Sequence, residues 1–489
     1  MEQNEDLRGR IQPEMMDRTQ PLEIAAEFTL PDYRSEISRL LWVRPTLRPP
    51  ERFIGGGKAE FSAPVLFEVL YTGPDGVLYG TELDGGYTFS VPLDSFGDAD
   101  DVQLVAEPVT DAVISRVTGP RKLSVRCRAH VRVRGYGEKS LGLMQKGVPQ
   151  GAAPALLCDT VYVGRVLAGG REELTLADAV DVEGDVRVIC ARGSVFLPDV
   201  RAAANEVCCR GEVQITLLFC RDGEEASLPF VLTRRIPFEG RVPLEGLCPE
   251  HHACASGTVG RIELTVEEGR ILLSPQLVLC AQAQYEEPMT VCRDVFLPAH
   301  TEEKHTRTEA LWRDGGCCNR NFSVSAERPL AELDMGEGCE IIDLFSEAEI
   351  CEKVQDGTRF VLSGKLQCHL LCRRGDELCT KDVTFPFRLV SEGGGEQASV
   401  DCHVFDCRVR MSGGALRADA ELQLAIRHTL PFSAQLVSGV SFTPSPARER
   451  ADIELYYPAP TQTLWDVAKR YGIAPDTLAD ANALALGEP

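Results

Sequence analysis

The sequence predicts a mainly β protein that consists of three tandem antiparallel β-sandwich-like domains and a small C-terminal α/β module. Three observations carry this prediction. An alternating strand that runs into a glycine turn occurs three times, a second long alternating strand closes the copies, and the end of the chain changes to helical periodicity. A length of 489 residues with 44% hydrophobic and 26% charged residues is an ordinary globular composition.

The repeated strand covers residues 65–71, 213–219 and 366–372. Successive side chains of a strand point to opposite faces, so the three copies can be compared in register. Leu70, Leu218 and Leu371 stand 148 and 153 residues apart, and these similar intervals indicate three copies of one domain. One face is apolar in every copy: Val65, Phe67, Val69 and Tyr71; Val213, Ile215, Leu217 and Phe219; Leu366, Cys368, Leu370 and Cys372.

Each copy ends in a long alternating strand. In the first copy the apolar residues between Leu123 and Val133 alternate with a basic series between Lys122 and Arg134. The third copy repeats the pattern over residues 416–427, and the second copy alternates less cleanly over residues 270–284. Such alternation predicts antiparallel sheets with one buried and one solvated face. In an acidic chain the basic face is a candidate docking surface for an acidic partner, but a solvated sheet face is the simpler interpretation.

The repeats and the composition divide the chain into four parts. We predict β domains over residues 20–140, 155–290 and 291–432, and the C-terminal module over residues 452–489. Segments rich in Gly, Pro, Thr or charge, namely residues 135–154, 286–316 and 433–449, are predicted as linkers.

Charge and cysteine usage exclude several classes of function. A net charge of −23 disfavours nucleic acids and anionic membrane surfaces, whose recognition relies on Lys and Arg. The chain shows no signal peptide and no apolar run long enough to insert into a membrane, so we expect a protein that is not secreted. The 19 cysteines contain no C-x-x-C pair, so we expect free thiols that fill apolar positions in a reducing cytoplasm.

The sequence offers weak candidates for chemistry. His251 and His252 lie near Cys248 and Cys254, but this spacing is poor for a metal site and an exposed loop is the simpler interpretation. The glycines before Lys58 lack the spacing of a phosphate-binding loop. We therefore expect no catalytic residues, no metal and no cofactor, and no enzyme activity.

The C-terminal module begins with a predicted strand over residues 453–457. Thr463 is placed to cap a first helix through the amide of Asp466, and Gly472 stands at the position of its C-cap. A second helix is predicted to begin at Pro475.

Residues 457–484, with the run Thr463–Gly472 and the Asn482-x-Leu484 segment, resemble a LysM module. Three β-rich copies followed by such a module resemble the SPOCS-domain spore-coat morphogenesis proteins of endospore-forming clostridia and their relatives. The resemblance implies a non-enzymatic scaffold or tether of the endospore coat. It would act through protein–protein contacts with the spore-coat scaffold ATPase, on the mother-cell side of the forespore. It also implies that the module here lacks the last strand of a LysM fold.

The resemblance places a partner or glycan groove on one set of residues: Thr461, Gln462, Thr463, Leu464, Trp465, Ala483 and Leu484. Thr461 and Gln462 stand where the family usually has Gly-Asp. Trp465 is either a sugar platform or a packing residue, and we favour packing against the core of the module. The alternative function is a LysM-type protein that binds peptidoglycan or chitin oligosaccharides, and an enzyme with an unrecognised β-sandwich site is a further rival.

Overall fold

The protein is described from a computed structural model, over residues 9–97, 100–221, 229–333, 335, 338–356, 359–375, 377–392, 398–445 and 454–482. The prediction of a mainly β protein is confirmed, since strands dominate these residues and the two α-helices found among them lie near the C-terminus. We divide the strands into a first, a second and a third unit, which follow one another along the chain.

The first unit contains two four-stranded sheets. One has the order β1-β8-β2 with β7 also on β8, and the other has the order β3-β5-β4 with β6 also on β5. The strands are β1 (Gly9–Ile11), β2 (Glu14–Thr29), β3 (Arg39–Leu47), β4 (Glu51–Gly55), β5 (Lys58–Thr72), β6 (Leu78–Pro92), β7 (Asp100–Gly119) and β8 (Lys122–Leu141). A short strand β9 (Met144–Lys146) follows.

The second and third units repeat the same pairing. The second contains β10 (Ala155–Thr175), β11 (Asp178–Asp181), β12 (Val186–Ala203), β13 (Glu206–Arg221), β14 (Phe230–Pro243), β15 (His252–Glu267) and β16 (Arg270–Phe296). The third contains β17 (His300–Pro329), β18 (Cys339–Asp356), β19 (Arg359–Arg374), β20 (Glu377–Glu392), β21 (Ala398–Ser412) and β22 (Ala415–Pro444). In the second unit β10 and β15 pair with the closing strand β16, and in the third unit β17 and β21 pair with the closing strand β22, as β2 and β7 pair with β8 in the first. The second sheet has three strands in these two units, β12-β13-β14 and β18-β19-β20, and four strands in the first.

Both sheets of each unit contribute to one apolar core. The faces predicted from alternation are the buried ones: Val65, Phe67, Val69 and Tyr71 join the core of the first unit, and the series beginning at Val213 and Leu366 join the other two. Each core includes the inward residues of the closing strand, such as Leu123, Ile271 and Leu416. The three cores are therefore built from matching positions of the repeat.

A β-bulge occurs at the same place in all three units. The register with the central strand shifts between Leu40 and Trp42, between Val188 and Cys190, and between Ile341 and Asp343. A bulge inserts one residue and turns nearby side chains in a new direction. The inserted residues, Leu41, Ile189 and Ile342, each stand 29 residues before Leu70, Leu218 and Leu371.

These bulges meet where the three units join. Leu70, Leu218 and Leu371 are fully buried in one shared apolar cluster, which we call the central cluster. Its other members are Leu41, Trp42, Leu78, Ile189, Cys190 and Cys220, with Ile342, Phe345 and Leu378 packed against it. All three units thus contribute equivalent residues to one interface. Alternation predicts one buried and one solvated face for these sheets. At the end that carries Leu70, Leu218 and Leu371 the second face is buried as well, so the expectation is wrong there.

Polar contacts reinforce the junction. The guanidinium of Arg192 in the second unit pairs with the carboxylate of Asp343 in the third, and lies 3.5 Å from Glu68 of the first. These three side chains are all nearly buried. Gly80 permits a close approach between the first and second units, because a Cβ there would lie 2.0 Å from the carbonyl oxygen of Ile189.

Strands run through segments that were predicted as linkers. Strand β16 continues to Phe296 and β17 begins at His300, so most of residues 286–316 belongs to strands. Strand β9, in the first predicted linker, pairs in parallel with residues 439–441 of β22. Composition misled here because charged and Thr-rich residues are compatible with the solvated face of a long strand.

The basic face of β8 is largely neutralised by its neighbours. Arg126 pairs with Glu23 and Arg132 pairs with Asp17, both on β2. Acidic residues of the adjacent strands therefore offset the basic series, and this face gives no support for a docking surface for an acidic partner.

Candidate partner-binding site

The candidate site lies in the tail, which we define as residues 454–482. Helix α1 (Leu464–Tyr471) and helix α2 (Pro475–Asn482) begin where the sequence predicts. The hydroxyl of Thr463 accepts a hydrogen bond from the amide of Asp466, whose carboxylate in turn accepts one from the amide of Thr463. Gly472 ends α1 in the left-handed conformation, with φ of 60°. Both predicted caps are therefore confirmed.

The strand predicted over residues 453–457 is absent from its described part. Residues 454–457 have no regular secondary structure, and Ile453 lies outside the described residues. A strand needs a neighbour that takes up its backbone hydrogen bonds, and among the described residues none pairs with this segment. Tyr456 instead packs against Tyr471 of α1, while Leu455 and Tyr457 are exposed.

The groove residues have different environments. Thr461 is exposed, Leu464 is half-buried, and Thr463 caps α1. The side-chain oxygen of Gln462 accepts hydrogen bonds from the Tyr456 hydroxyl at 2.7 Å and from the Ala459 amide at 3.0 Å. Ala483 and Leu484 lie outside the described residues. Gln462 and Thr463 are thus engaged in holding the tail's own turn and helix.

The side chain of Trp465 packs against the second unit and not against the core of the tail. Its indole N–H donates a hydrogen bond to the carboxylate of Asp294 at 2.9 Å, and its ring meets Phe296 edge-on with centroids 5.0 Å apart. Asp294 and Phe296 belong to the end of β16. The packing interpretation of Trp465 therefore holds with a different partner from the one expected, which was the core of the module.

Asp294 is the centre of the contact between the tail and the body. The ammonium of Lys469 lies 2.9 Å from Asp294 and 3.0 Å from Glu302, and Lys304 also bonds Asp294. Burial alone would raise the pKa of the Asp294 carboxyl. Hydrogen bonds from Lys304, Lys469 and Trp465 nevertheless hold that pKa far below its usual range. These contacts dock α1 on the segment that joins the second and third units, and we call them the Asp294 latch.

We expect Asp294→Asn to loosen the tail. The substitution removes the charge that Lys469 and the Trp465 indole bind, and hydrogen bonds to a charged group contribute about 1.5–3 kcal/mol. Tryptic cleavage after Lys469 and Arg470 should therefore accelerate about tenfold or more in the native protein. Asp159→Asn, which breaks an exposed pair with Arg293, is the matched control and should leave the rate unchanged. Equal rates in the two variants would contradict the latch.

The Asp294 latch is expected to weaken as the pH falls. Hydrogen bonds from Lys304, Lys469 and Trp465 together lower the pKa of Asp294. The stabilisation that the carboxylate provides is therefore present above the ordinary pKa of an aspartate, about 4, and is lost as the pH falls below that value towards the lowered pKa. The difference in tryptophan emission between wild type and Asp294→Asn should stay constant from about pH 8 to pH 5 and shrink below about pH 4. A difference that vanished between pH 8 and pH 6 would instead implicate another group.

The histidine–cysteine candidate is only partly assembled. Potential ligand atoms of Cys248, Glu250 and His251 lie within 4.8 Å of one another. Nδ1 of His251 accepts a hydrogen bond from the Cys248 amide, and the ring stacks on Tyr285 at 4.2 Å. His252 bonds Asp314 instead, and Cys254 is buried beside Cys317. Of the four residues that the sequence placed together, Cys248 and His251 lie close to each other, whereas His252 and Cys254 have other partners.

Two concave regions lie on the body of the protein. The larger, about 400 Å³, is lined by Glu51, Ser62, Ala63, Pro64, Gly86, Tyr87 and Thr88. The other, about 340 Å³, lies between the first and second units and contains Glu68, Glu82, Arg34 and Arg261. In that cavity Arg261 is paired with Glu82 and Asp84. Neither lining joins a nucleophile to a base in the pattern that hydrolytic sites use.

No helix in the described part of the chain has the length and apolar character needed to cross a membrane. Comparison of the chain with protein families, with curated proteins and with solved structures finds no match in any of the three. The inference of function therefore relies on the sequence pattern and on the geometry above.

Sequence reasoning missed two features of this site. Asp294 carries no motif, and its role depends on a tail that lies 171 residues further along the chain. The junction of the units did leave a signal: each copy breaks its alternation with consecutive apolar residues at Val69-Leu70-Tyr71, Leu217-Leu218-Phe219 and Leu370-Leu371-Cys372. A doubly apolar stretch indicates a strand that is buried on both faces.

Proposed function

We propose that this protein is a non-enzymatic scaffold or tether of the endospore coat that acts through protein–protein contacts in the cytoplasm of the mother cell. In this proposal the three units are tandem β-sandwich-like domains, and the tail belongs to a LysM-like module. The spore-coat scaffold protein is its partner, as the resemblance to SPOCS-domain proteins implies.

One observation supports the proposal most. Three equivalent units share the central cluster, and the Asp294 latch fixes the tail on the same body. A scaffold benefits from such an arrangement, because binding surfaces held on a rigid body lose little conformational entropy when a partner docks. The exposed side chains of Leu455 and Tyr457 give the tail an apolar surface, of the kind that partners commonly cover.

The test is co-purification with the coat scaffold ATPase from the same sporulating organism. We expect the full chain to retain that ATPase, and a chain lacking residues 452–489 to lose at least about tenfold in affinity, equivalent to about 1.4 kcal/mol. The double substitution Leu455→Ser and Tyr457→Ser tests the exposed surface without removing the helices. Full retention by the shortened chain would exclude the tail from the mechanism, and no retention by the full chain would refute the partner.

The alternative function, binding of chitin or peptidoglycan oligosaccharides, predicts a different result. A sugar platform needs an aromatic face that is free to stack on the ligand. Trp465 instead packs edge-on with Phe296 and donates a hydrogen bond to Asp294, which holds its ring against the second unit. We therefore expect no change in tryptophan emission when chitotetraose is added. A saturable change that disappears in Trp465→Phe would establish the alternative.

A further inference from the structure

The third unit departs from the other two at a matched pair of core positions. Cys368 of β19 occupies the position of Phe67 and Ile215 in the repeat. Cys407 of β21 occupies the position of Val113 and Ile262, as the pairing with the closing strand shows. Phe67 and Val113 both contribute to the core of the first unit, and Ile215 and Ile262 both belong to that of the second. Both members of this pair of positions are thus cysteine in the third unit.

The two thiols face each other across the core. The sulfur atoms of Cys368 and Cys407 lie 3.8 Å apart, although the residues belong to different sheets. Cys368 is fully buried, whereas Cys407 is only partly buried. The side chains of Cys368 and Ser346 hydrogen-bond the Cys407 sulfur and lower the pKa of its thiol. Disulfide formation requires these two sulfur atoms to approach from 3.8 Å to about 2.05 Å.

We propose that Cys368 and Cys407 form a redox-sensitive pair, which peroxide converts to a disulfide that joins the two sheets of the third unit. The pair departs from our expectation that these thiols serve only as apolar packing. It is distinct from Cys158 and Cys292, which lie directly opposite each other on neighbouring strands β10 and β16 of one sheet. A bond there would join strands that are already paired.

The chemistry follows from the difference in exposure. The Cys407 thiolate attacks one oxygen of hydrogen peroxide, so that an S–O bond forms, the O–O bond breaks, and the departing hydroxide takes up a proton as water. The Cys368 sulfur then attacks the Cys407 sulfur, so that the S–S bond forms and the S–O bond breaks. The second hydroxide leaves with the Cys368 proton as water. Two thiols are oxidised by two electrons in total, and one peroxide is reduced to two waters.

The disulfide would be a covalent cross-link between the two sheets of the third unit. It closes a loop between positions 39 residues apart, and a cross-link of that kind restricts the unfolded chain. Oxidation should therefore raise the melting temperature of the full chain by about 5 °C, and dithiothreitol should reverse the shift. Such a cross-link would increase the stability of the third unit under oxidising conditions without a change of fold.

The test is peptide mapping of the full-length protein after treatment with one equivalent of hydrogen peroxide. Free thiols are blocked in denaturant at low pH, and the protein is digested without reduction. We expect a cross-linked peptide that contains Cys368 and Cys407 and is lighter than the two separate peptides by two hydrogen atoms. Recovery of both residues as blocked thiols, while other cysteines are cross-linked, would overturn the proposal.

Two variants complete the test. Cys407→Val introduces the residue that the first unit carries at this position, so the variant is expected to fold, and it should lose both the cross-link and the thermal shift. Cys351→Ser removes the exposed cysteine of the neighbouring strand β18 and should retain both. An equal thermal shift in Cys407→Val and wild type would assign the effect to other thiols and contradict the proposal.

Discussion

Replacing Arg192 by methionine should lower the free energy of unfolding by about 3–5 kcal/mol. Arg192 lies at the junction of the three units, where its guanidinium pairs with Asp343 and approaches Glu68. Only 2% of the Asp343 side chain and 8% of the Glu68 side chain are exposed, so water cannot replace the lost cation. The substitution leaves two carboxylates buried without a cation in a medium of low polarity. This destabilises the folded state far more than the loss of a surface ion pair does.

The matched control is Arg201→Met on the same strand, β12. Arg201 pairs with Asp199, but 76% of its side chain is exposed, and such pairs contribute about 0–1 kcal/mol. Urea unfolding of both variants measures the difference. If Arg192→Met and Arg201→Met unfold at the same urea concentration, the charged junction does not hold the units together.

A second large effect is expected at Leu218. Leu218→Ala should cost about 2–5 kcal/mol, because it opens a cavity in the central cluster that the surrounding strands cannot fill. Leu70→Ala and Leu371→Ala should behave alike, since both leucines are fully buried in the same cluster. The three effects should also fail to add, as residues that share a cavity usually couple by about 0.5–3 kcal/mol.

Val266→Ala is the control for the leucine series. Val266 lies near the end of β15 and is 46% exposed, so its truncation should change stability by less than about 0.5 kcal/mol. The measurement is again the urea midpoint, completed by the double variant Leu218→Ala and Leu371→Ala. Strict additivity of the two leucine effects would show that the second and third units do not meet at these residues.

The sequence predicted what alternation and capping determine locally. The faces that begin at Val65, Val213 and Leu366 are buried as predicted, because a period of two fixes which side chains share a face. The helix caps at Thr463 and Gly472 are confirmed, because these depend on residues within one turn. Such features need no knowledge of distant parts of the chain.

The missed features all depend on partners that are remote in sequence. Arg192 reads as an ordinary outward residue of a strand, and only the packing of the third unit places Asp343 beside it. Trp465 was assigned to the core of its own module, but Asp294 is its partner. The strand expected at residues 453–457 requires a neighbouring strand, which a local pattern cannot supply. Positions that depend on long-range contacts are those where a single sequence is least informative.

The central claim is that three equivalent units close around one junction to form a single body. Small-angle X-ray scattering of the full chain tests it most directly. A compact chain of 489 residues should have a radius of gyration of about 23 Å, with no change on dilution. A value above about 30 Å, as expected for three separate domains on linkers, would contradict the shared central cluster and the scaffold derived from it.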